Sequence, residues 1–408
     1  MMNEYTYPDR KKWAEIIRRP ETDYANIRKT VKAILKNVKL KGDRAVRKYT
    51  KEFDSTNESG GALTEELKRA IRQAKANIET FHASQKEETK LIETMPGINC
   101  WRKAVPIEKV GLYIPGGTAP LFSTVLMLGV PAQLAGCKEV ILCSPSSHPA
   151  ITYAAELCGI KKIFKIGGAQ AIAAMAYGTE LVPKVQKIFG PGNSYVTLAK
   201  QLVQLDGVAI DMPAGPSELL IIADTSAIPS FVAADLLSQA EHGPDSQVIL
   251  VTTSKELIKE VKKQISLAVN ALPRKNLALK SLMQSKVILV ESLDDAVEFS
   301  NFYAPEHLIL ACEEISDKVM NAGSVFIGNW SPEAAGDYAT GTNHTLPTNG
   351  YASCYSGISV ESFQKRITYQ LLTRKGLRNV GDTVMKMAEA EGLDGHKNAI
   401  SIRLNYDQ

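Results

Sequence analysis

Upstream of Lys109 the chain is polar with helical patterning. Apolar positions recur at helical spacing from Asp23 to Leu35, and again from Leu63 to Ile71, where Thr64 and Glu65 suit a helix start. From Lys109 the pattern changes to short apolar runs. The first series is Val110–Ile114, Glu139–Cys143, Lys162–Ile166, Val185–Phe189, Val208–Met212 and Leu219–Ala223. A second series follows at Gln247–Val251, Lys286–Val290, His307–Ala311 and Ser324–Ile327. The intervening stretches are long enough for crossover helices, so the succession predicts parallel sheets covered on both faces. Two such series predict an α/β fold of two doubly wound domains joined near residue 218. After Ser359 the pattern returns to helix, at 359–366 and 380–390. That predicts a helical tail, either a lid or an arm towards a partner subunit.

Residues 111–137 carry no charged side chain, long enough to raise the question of a membrane helix. Pro115, Pro120 and Pro131, with Gly116, Gly117, Gly129 and Gly136, break the stretch into a strand, a loop and a short helix. It reads as buried interior, and no membrane association is expected.

At 408 residues the chain is too long for one simple core. A net charge of +4, with no basic run carrying interleaved aromatics, gives no support to nucleic-acid binding. The six cysteines (Cys100, Cys137, Cys143, Cys158, Cys312, Cys354) form no Cys-x-x-Cys pair, and most sit in apolar contexts. They read as small buried hydrophobes in a reducing cytosol. Met-Met-Asn-Glu-Tyr at the start lacks the form of an export signal. A cytoplasmic location is the expectation.

The chemistry concentrates around histidine. His242, His307, His344 and His396 each lie beside a glycine or proline, with a carboxylate or carboxamide nearby. Imidazole and oxygen donors on bends suit a divalent metal or an acid–base site, although a loop histidine bonded to backbone would look the same. Gln239 and His242 are three apart near the end of a predicted helix, so they share a face. Glu306 and His307 are adjacent and point in different directions, which suits two separate proton transfers or, equally, a surface Glu before a strand. Glycine-rich turns follow apolar runs at Pro115–Thr118, Gly167–Gln170 and Gly190–Asn193, each before a predicted helix whose N–H groups can face phosphate. The usual Gly-x-Gly-x-x-Gly fingerprint is missing, and tight turns of this kind need no ligand. Ser217 falls at the join of the two α/β halves, where ligands tend to bind.

Several longer motifs occur in one order: Val110–Pro120, Gly167–Gln170, Phe189–Asn193, Asp211–Ser217 and Gly336–Gly341, together with the histidine segments. In these the chain resembles the histidinol dehydrogenase family from roughly residue 20 to its end. The resemblance implies two incomplete Rossmann-like domains, one inserted in the other. It partitions the chain into a small N-terminal helical segment (1–22), a main α/β domain (23–107 with 219–358), an inserted NAD-binding domain (108–218) and a C-terminal tail (359–408) exchanged between subunits of a homodimer. It implies Gln239, His242, Asp337 and His396 as ligands of one zinc ion per subunit, although nitrogen and oxygen donors also suit manganese or cobalt. Glu306 and His307 are implied as the acid–base pair. Ser217, Gln239, His242, His307, Asp337, Glu391 and His396 are implied to surround the substrate, L-histidinol, and Tyr113, Gln170 and Asn193 to contact NAD. His344 lies in a matching motif without a defined role, and His82 and His148 read as incidental. Phe122 departs from the family, which favours a smaller residue or proline there. Two rival readings are a related zinc- and NAD-dependent dehydrogenase acting on another alcohol, and a catalytically inactive metal-binding member.

Overall fold

The computed structural model describes residues 2–20, 24–54, 61–116, 120–213 and 215–406. Asp23, the Gly117-Thr118-Ala119 part of one glycine-rich turn, and Ala214 lie outside them. In chain order the strands begin with β1 (Asn3–Thr6), β2 (Leu91–Met95), β3 (Ile98–Pro106), β4 (Lys109–Tyr113), β5 (Glu139–Cys143), β6 (Lys162–Phe164) and β7 (Lys187–Phe189). They continue with β8 (Ala209–Ile210), β9 (Glu218–Ala223), β10 (Gln247–Thr252), β11 (Lys286–Leu289), β12 (His307–Ala311), β13 (Ser324–Ile327) and β14 (Gln364–Leu372).

Two parallel sheets form, and each predicted apolar run supplies one strand. The first has the order β6-β5-β4-β7-β8 and the second β1-β11-β10-β9-β12-β13. Counted along the chain within each sheet, both contain the 3-2-1-4-5 arrangement of a nucleotide-binding half, with β1 added at one edge of the second. Side chains alternate between faces, and both faces are buried. In β9, Leu219 and Ile221 enter one core cluster while Leu220 and Ile222 enter another. In β4, Val110 and Leu112 pack on one side and Tyr113 on the other.

The helix Phe122–Ala135 takes up most of the uncharged stretch and is almost wholly buried despite Pro131. Phe122 opens this helix rather than sitting in a loop, half-buried against the same core. Among the described residues no helix is long and apolar enough to cross a membrane. All the cysteines are free, and burial pushes the Cys143 and Cys158 thiols up to about 12.

The termini differ from the expectation. The predicted N-terminal helical segment begins with β1, which pairs with β11, followed by short helical turns. The predicted helix at 359–366 gives way to β14, which pairs antiparallel with β3 from Gln364↔Pro106 to Leu372↔Ile98. The helices Tyr24–Lys41 and Asp43–Phe53 contribute Ile27, Val31, Val46 and Tyr49 to a core of the first sheet, and Glu65–Ala83 contributes Ile71 and Ile78 to the other. This segment therefore packs with the expected insert rather than with the sheet that follows residue 218.

By its contacts the chain forms two compact units, 1–84 with 107–363, and 85–106 with 364–408. The smaller unit is the antiparallel sheet β14-β3-β2 with the helices Arg374–Ala390 and Asp394–Leu404. Trp101 and Tyr369 stack across it at 5.3 Å.

Candidate active site

The two parallel sheets present opposite edges to the site. Tyr113, the turn after β6 and the turn after β7 come from carboxyl ends of strands in the first sheet. Ser217 and Glu218 open β9 and Glu306 and His307 open β12, so the second sheet offers the amino ends of its two central strands. The chain passes from one edge to the other through 211–217. A cavity of about 400 Å³ lies there, lined by Tyr113, Gly116, Asn193, Ser217, His242 and Asp245 among others.

The helix Pro229–Ala240 buries Gln239 completely, and His242 follows just beyond its end on the exposed side. After β13 the short helix Glu333–Tyr338 places Glu333 and Asp337 one turn apart on one face. Gly336 lets this helix lie on the sheet, since a Cβ there would stand 2.5 Å from the Phe326 ring. The nitrogen of His242 and the carboxylate oxygens of Glu333 and Asp337 then lie within 4.8 Å of one another. With its nitrogen turned to Glu333, the Gln239 carboxamide donates to both carboxylate oxygens, at 3.3 Å to Oε2. Glu333 is the residue the sequence reading missed. Its signal was the four-residue spacing from Asp337 in Glu-Ala-Ala-Gly-Asp.

His307 adjoins this cluster. Nδ1 lies 3.2 Å from the carbonyl oxygen of Glu218 and so carries a proton whether the ring is neutral or charged. Nε2 is 3.4 Å from Asp337 Oδ1, buried and without a hydrogen-bond partner. Glu306 and Glu333 each approach His307 Nδ1 to 3.7 Å. Burial alone would lower the His307 pKa, but Glu306, Glu333 and Asp337 together outweigh it and push the imidazole up to about 10. Burial pushes both Glu306 and Glu333 up to about 8. So many buried carboxylates facing one imidazole leave the cluster short of positive charge. With the orphaned His307 Nε2 and an amide–imidazole–carboxylate donor set, this fits a divalent cation.

The cofactor candidates divide. Tyr113 is buried and accepts from the Gly168 N–H at 3.0 Å, while Asn193 caps the helix Ser194–Gln204 through Tyr195 and Val196 N–H groups. Both line the cavity. Gln170 does not: it is buried, and its Nε2 donates to Asp54 at 3.3 Å. Asp54 also accepts from the Gly167 N–H at 2.9 Å, so the protein's own carboxylate occupies the helix start where a pyrophosphate-binding turn would stand open. The turn at Gly190 is held from both sides, its N–H donating to Asp211 at 2.7 Å and its carbonyl accepting from Lys200 at 2.8 Å. A Cβ on Gly190, whose φ is +126°, would run into the Tyr113 carbonyl.

The remaining candidates fall elsewhere. Glu391 and His396 belong to the smaller unit, exposed around the junction of its two helices. His344 bonds to the backbone of Asp337 and to Thr124. His82 is a satisfied core histidine between Ile78 and Asn343, and His148 caps the helix Pro149–Leu157.

Two doubly wound parallel sheets with a buried imidazole–carboxylate cluster at their meeting edges are the framework of an α/β enzyme. The histidinol dehydrogenase family model matches residues 17–404, and the chain belongs to that family. It is 56% identical to a histidinol dehydrogenase of Bacteroides thetaiotaomicron, with 99% of each chain covered. It is 52% identical to that of Escherichia coli, covering 93% of this chain and 92% of the relative. The crystal structure of histidinol dehydrogenase from Elizabethkingia anophelis superposes with a TM-score of 0.95 at 54% identity, over 99% of this chain and 98% of that one.

Proposed function

We propose that the enzyme oxidises L-histidinol to L-histidine, the last step of histidine biosynthesis, by two successive hydride transfers to NAD⁺ through L-histidinaldehyde. The observation that supports this reading best is the grouping of His242, Glu333 and Asp337 within 4.8 Å, with Gln239 on Glu333 and Asp337 3.4 Å from His307 Nε2, beside a cavity reaching Tyr113 and Asn193. Gln239, His242 and Asp337, with His396 from a second copy, would hold one zinc ion, whose part is to orient the imidazole and amine of the substrate. Tyr113 and Asn193 would hold NAD⁺, which supplies the hydride acceptor; Gln170 would act from behind, through the turn at Gly168.

The protein's own groups then divide the proton work. His307 donates Nδ1–H to the Glu218 carbonyl, and with a cation bound among the carboxylates that otherwise raise its pKa, Nε2 would be free to act as the base. It takes the hydroxyl proton as hydride leaves the carbinol carbon, giving the aldehyde. Glu306, fixed by the Glu218 N–H at 2.8 Å, takes a proton from the water that adds to the aldehyde. Loss of a second hydride to NAD⁺ and of one proton from the hydrate gives the carboxylic acid, which releases a second proton as the carboxylate. Burial holds Glu306 near 8, where proton uptake and release are both accessible at neutral pH. Ser217 and Glu391 would bind the substrate, Glu391 through the ammonium group and from a partner chain in a homodimer.

The test is stoichiometric. Complete conversion of L-histidinol by the metal-loaded protein yields two NADH and one histidine per substrate. One NADH with release of the aldehyde would overturn the two-step reading.

A further inference from the structure

Glu218 stands beneath the acid–base pair and touches both of its members through its backbone. Its N–H donates to Glu306 Oε2 at 2.8 Å, and its carbonyl accepts from His307 Nδ1 at 3.2 Å. A shift of this one peptide segment would therefore move both proton-transfer groups. Its side chain points the other way and is only 2% exposed. There the carboxylate receives Arg19 Nε at 2.5 Å, Arg19 Nη2 at 3.0 Å and the Asn349 N–H at 2.9 Å.

Arg19 grips a second element as well. Nη2 donates to the Tyr303 carbonyl at 2.8 Å, and the guanidinium lies 4.0 Å over the Tyr303 ring. Tyr303 is fixed in turn by its hydroxyl, which donates to Gln247 at 2.9 Å. From Tyr303 the chain reaches Glu306 and His307 through Ala304, which has φ of +52°, and Pro305. One guanidinium thus ties the start of β9 to the turn that delivers the pair on β12. A planar fork can do this and a lysine ammonium cannot. A buried ion pair seldom adds net stability over an apolar pair of the same volume, so stability alone is a poor reason for this one.

We infer that Arg19 and Glu218 are positioning residues: their ion pair sets the placement of Glu306 and the placement and tautomer of His307. The inference rests on those two being the acid–base pair. Truncating one partner alone would strand a buried charge, so the informative variants are Arg19→Lys, which keeps the charge, and the double variant Arg19→Met with Glu218→Leu, which removes both charges. Both are compared with His307→Asn in the metal-loaded enzyme.

In both variants kcat should fall by about 10²-fold, the usual effect of a displacement near 1 Å, with KM for histidinol and bound metal unchanged. The pH–rate profile should move, and the Nδ1–H proton resonance of His307 should shift before any substrate is added. A structural role alone would lower the unfolding midpoint and leave profile and resonance in place; that result would overturn the inference. If His307→Asn is inactive while both variants keep the wild-type kcat, profile and resonance, the inference fails and the acid–base reading stands. If His307→Asn keeps full activity, the acid–base reading itself falls and the inference with it.

Discussion

His344 holds Asp337 from behind. Its Nδ1 lies 2.7 Å from the Asp337 carbonyl oxygen and its Nε2 3.0 Å from Thr124 Oγ1. Burial lowers the His344 pKa, so the ring is neutral, with Nδ1–H donating to the carbonyl and Nε2 accepting from the threonine hydroxyl. Groups that orient a metal ligand in this way commonly contribute 10–100-fold in affinity. His344→Ala should therefore lower metal affinity by roughly that factor, and Thr124→Val should move it in the same direction. Competition against a chromophoric chelator measures this, and wild-type affinity in both variants would show that the contact does not act on the metal.

The proposed acid–base pair should separate by half-reaction. His307→Asn should slow alcohol oxidation by roughly 10²–10⁴-fold, the usual contribution of a positioned base. Glu306→Gln should slow oxidation of added aldehyde more than oxidation of the alcohol, because water activation belongs to the second step. Rates measured separately from histidinol and from histidinaldehyde decide the point, and equal losses in both would reject the division of labour.

Metal removal should abolish turnover reversibly while leaving the fold in place. The four hydrophobic clusters flank the sheets independently of the Gln239–His242–Asp337 group, and cores of this size stand without a staple. Circular dichroism before and after chelation, with activity recovered on adding zinc, checks this. Global unfolding on chelation would contradict it.

Asp235 offers a pH-dependent stability test. It lies on the same helix as Gln239, and burial lifts its carboxyl to about 6. Its folded pKa is above the unfolded value of about 3.9, so the group takes up a proton on folding between those values. Its contribution is therefore unfavourable above pH 6 and fades as pH falls towards 4. After allowance for partial exposure, Asp235→Asn should stabilise by about 1 kcal/mol at pH 7.5 and by little at pH 4. Urea denaturation at the two pH values reads the difference, and a benefit that grows with acidity would reverse the sign.

Complementation tests the shared site. Inactive His242→Ala and His396→Ala chains, mixed after refolding that exchanges subunits, should recover roughly one quarter of wild-type activity. Half of randomly paired dimers are mixed, and each would have one intact site. No recovery would mean that every site is built within one chain.

The parallel strands were legible because both of their faces are buried, so that runs such as Leu219–Ala223 are apolar throughout. β14 escaped although Arg366–Leu371 alternates polar and apolar as a strand does, because the stretch is short and mostly exposed and its partner β3 lies far upstream in the chain. β1 was hidden likewise, a short polar edge strand recruited by β11. Spacing drew attention to Gln239 with His242 and to Glu306 with His307, whereas Asp337 was singled out only by family resemblance. Arg19 was not, since nothing in its neighbourhood of the sequence announces Glu218 or Tyr303.

Two sheets meeting by unlike edges also bear on the order of events. The groups proposed to hold the cofactor project from one sheet and the acid–base pair from the other, so neither set is built from the other's strands. An oxidation that consumes two cofactor molecules per substrate must discharge the first and admit the second while a reactive aldehyde stays in place. With the two grips on separate platforms, the proposed chemistry would let the spent cofactor leave along its own edge while the aldehyde stays held.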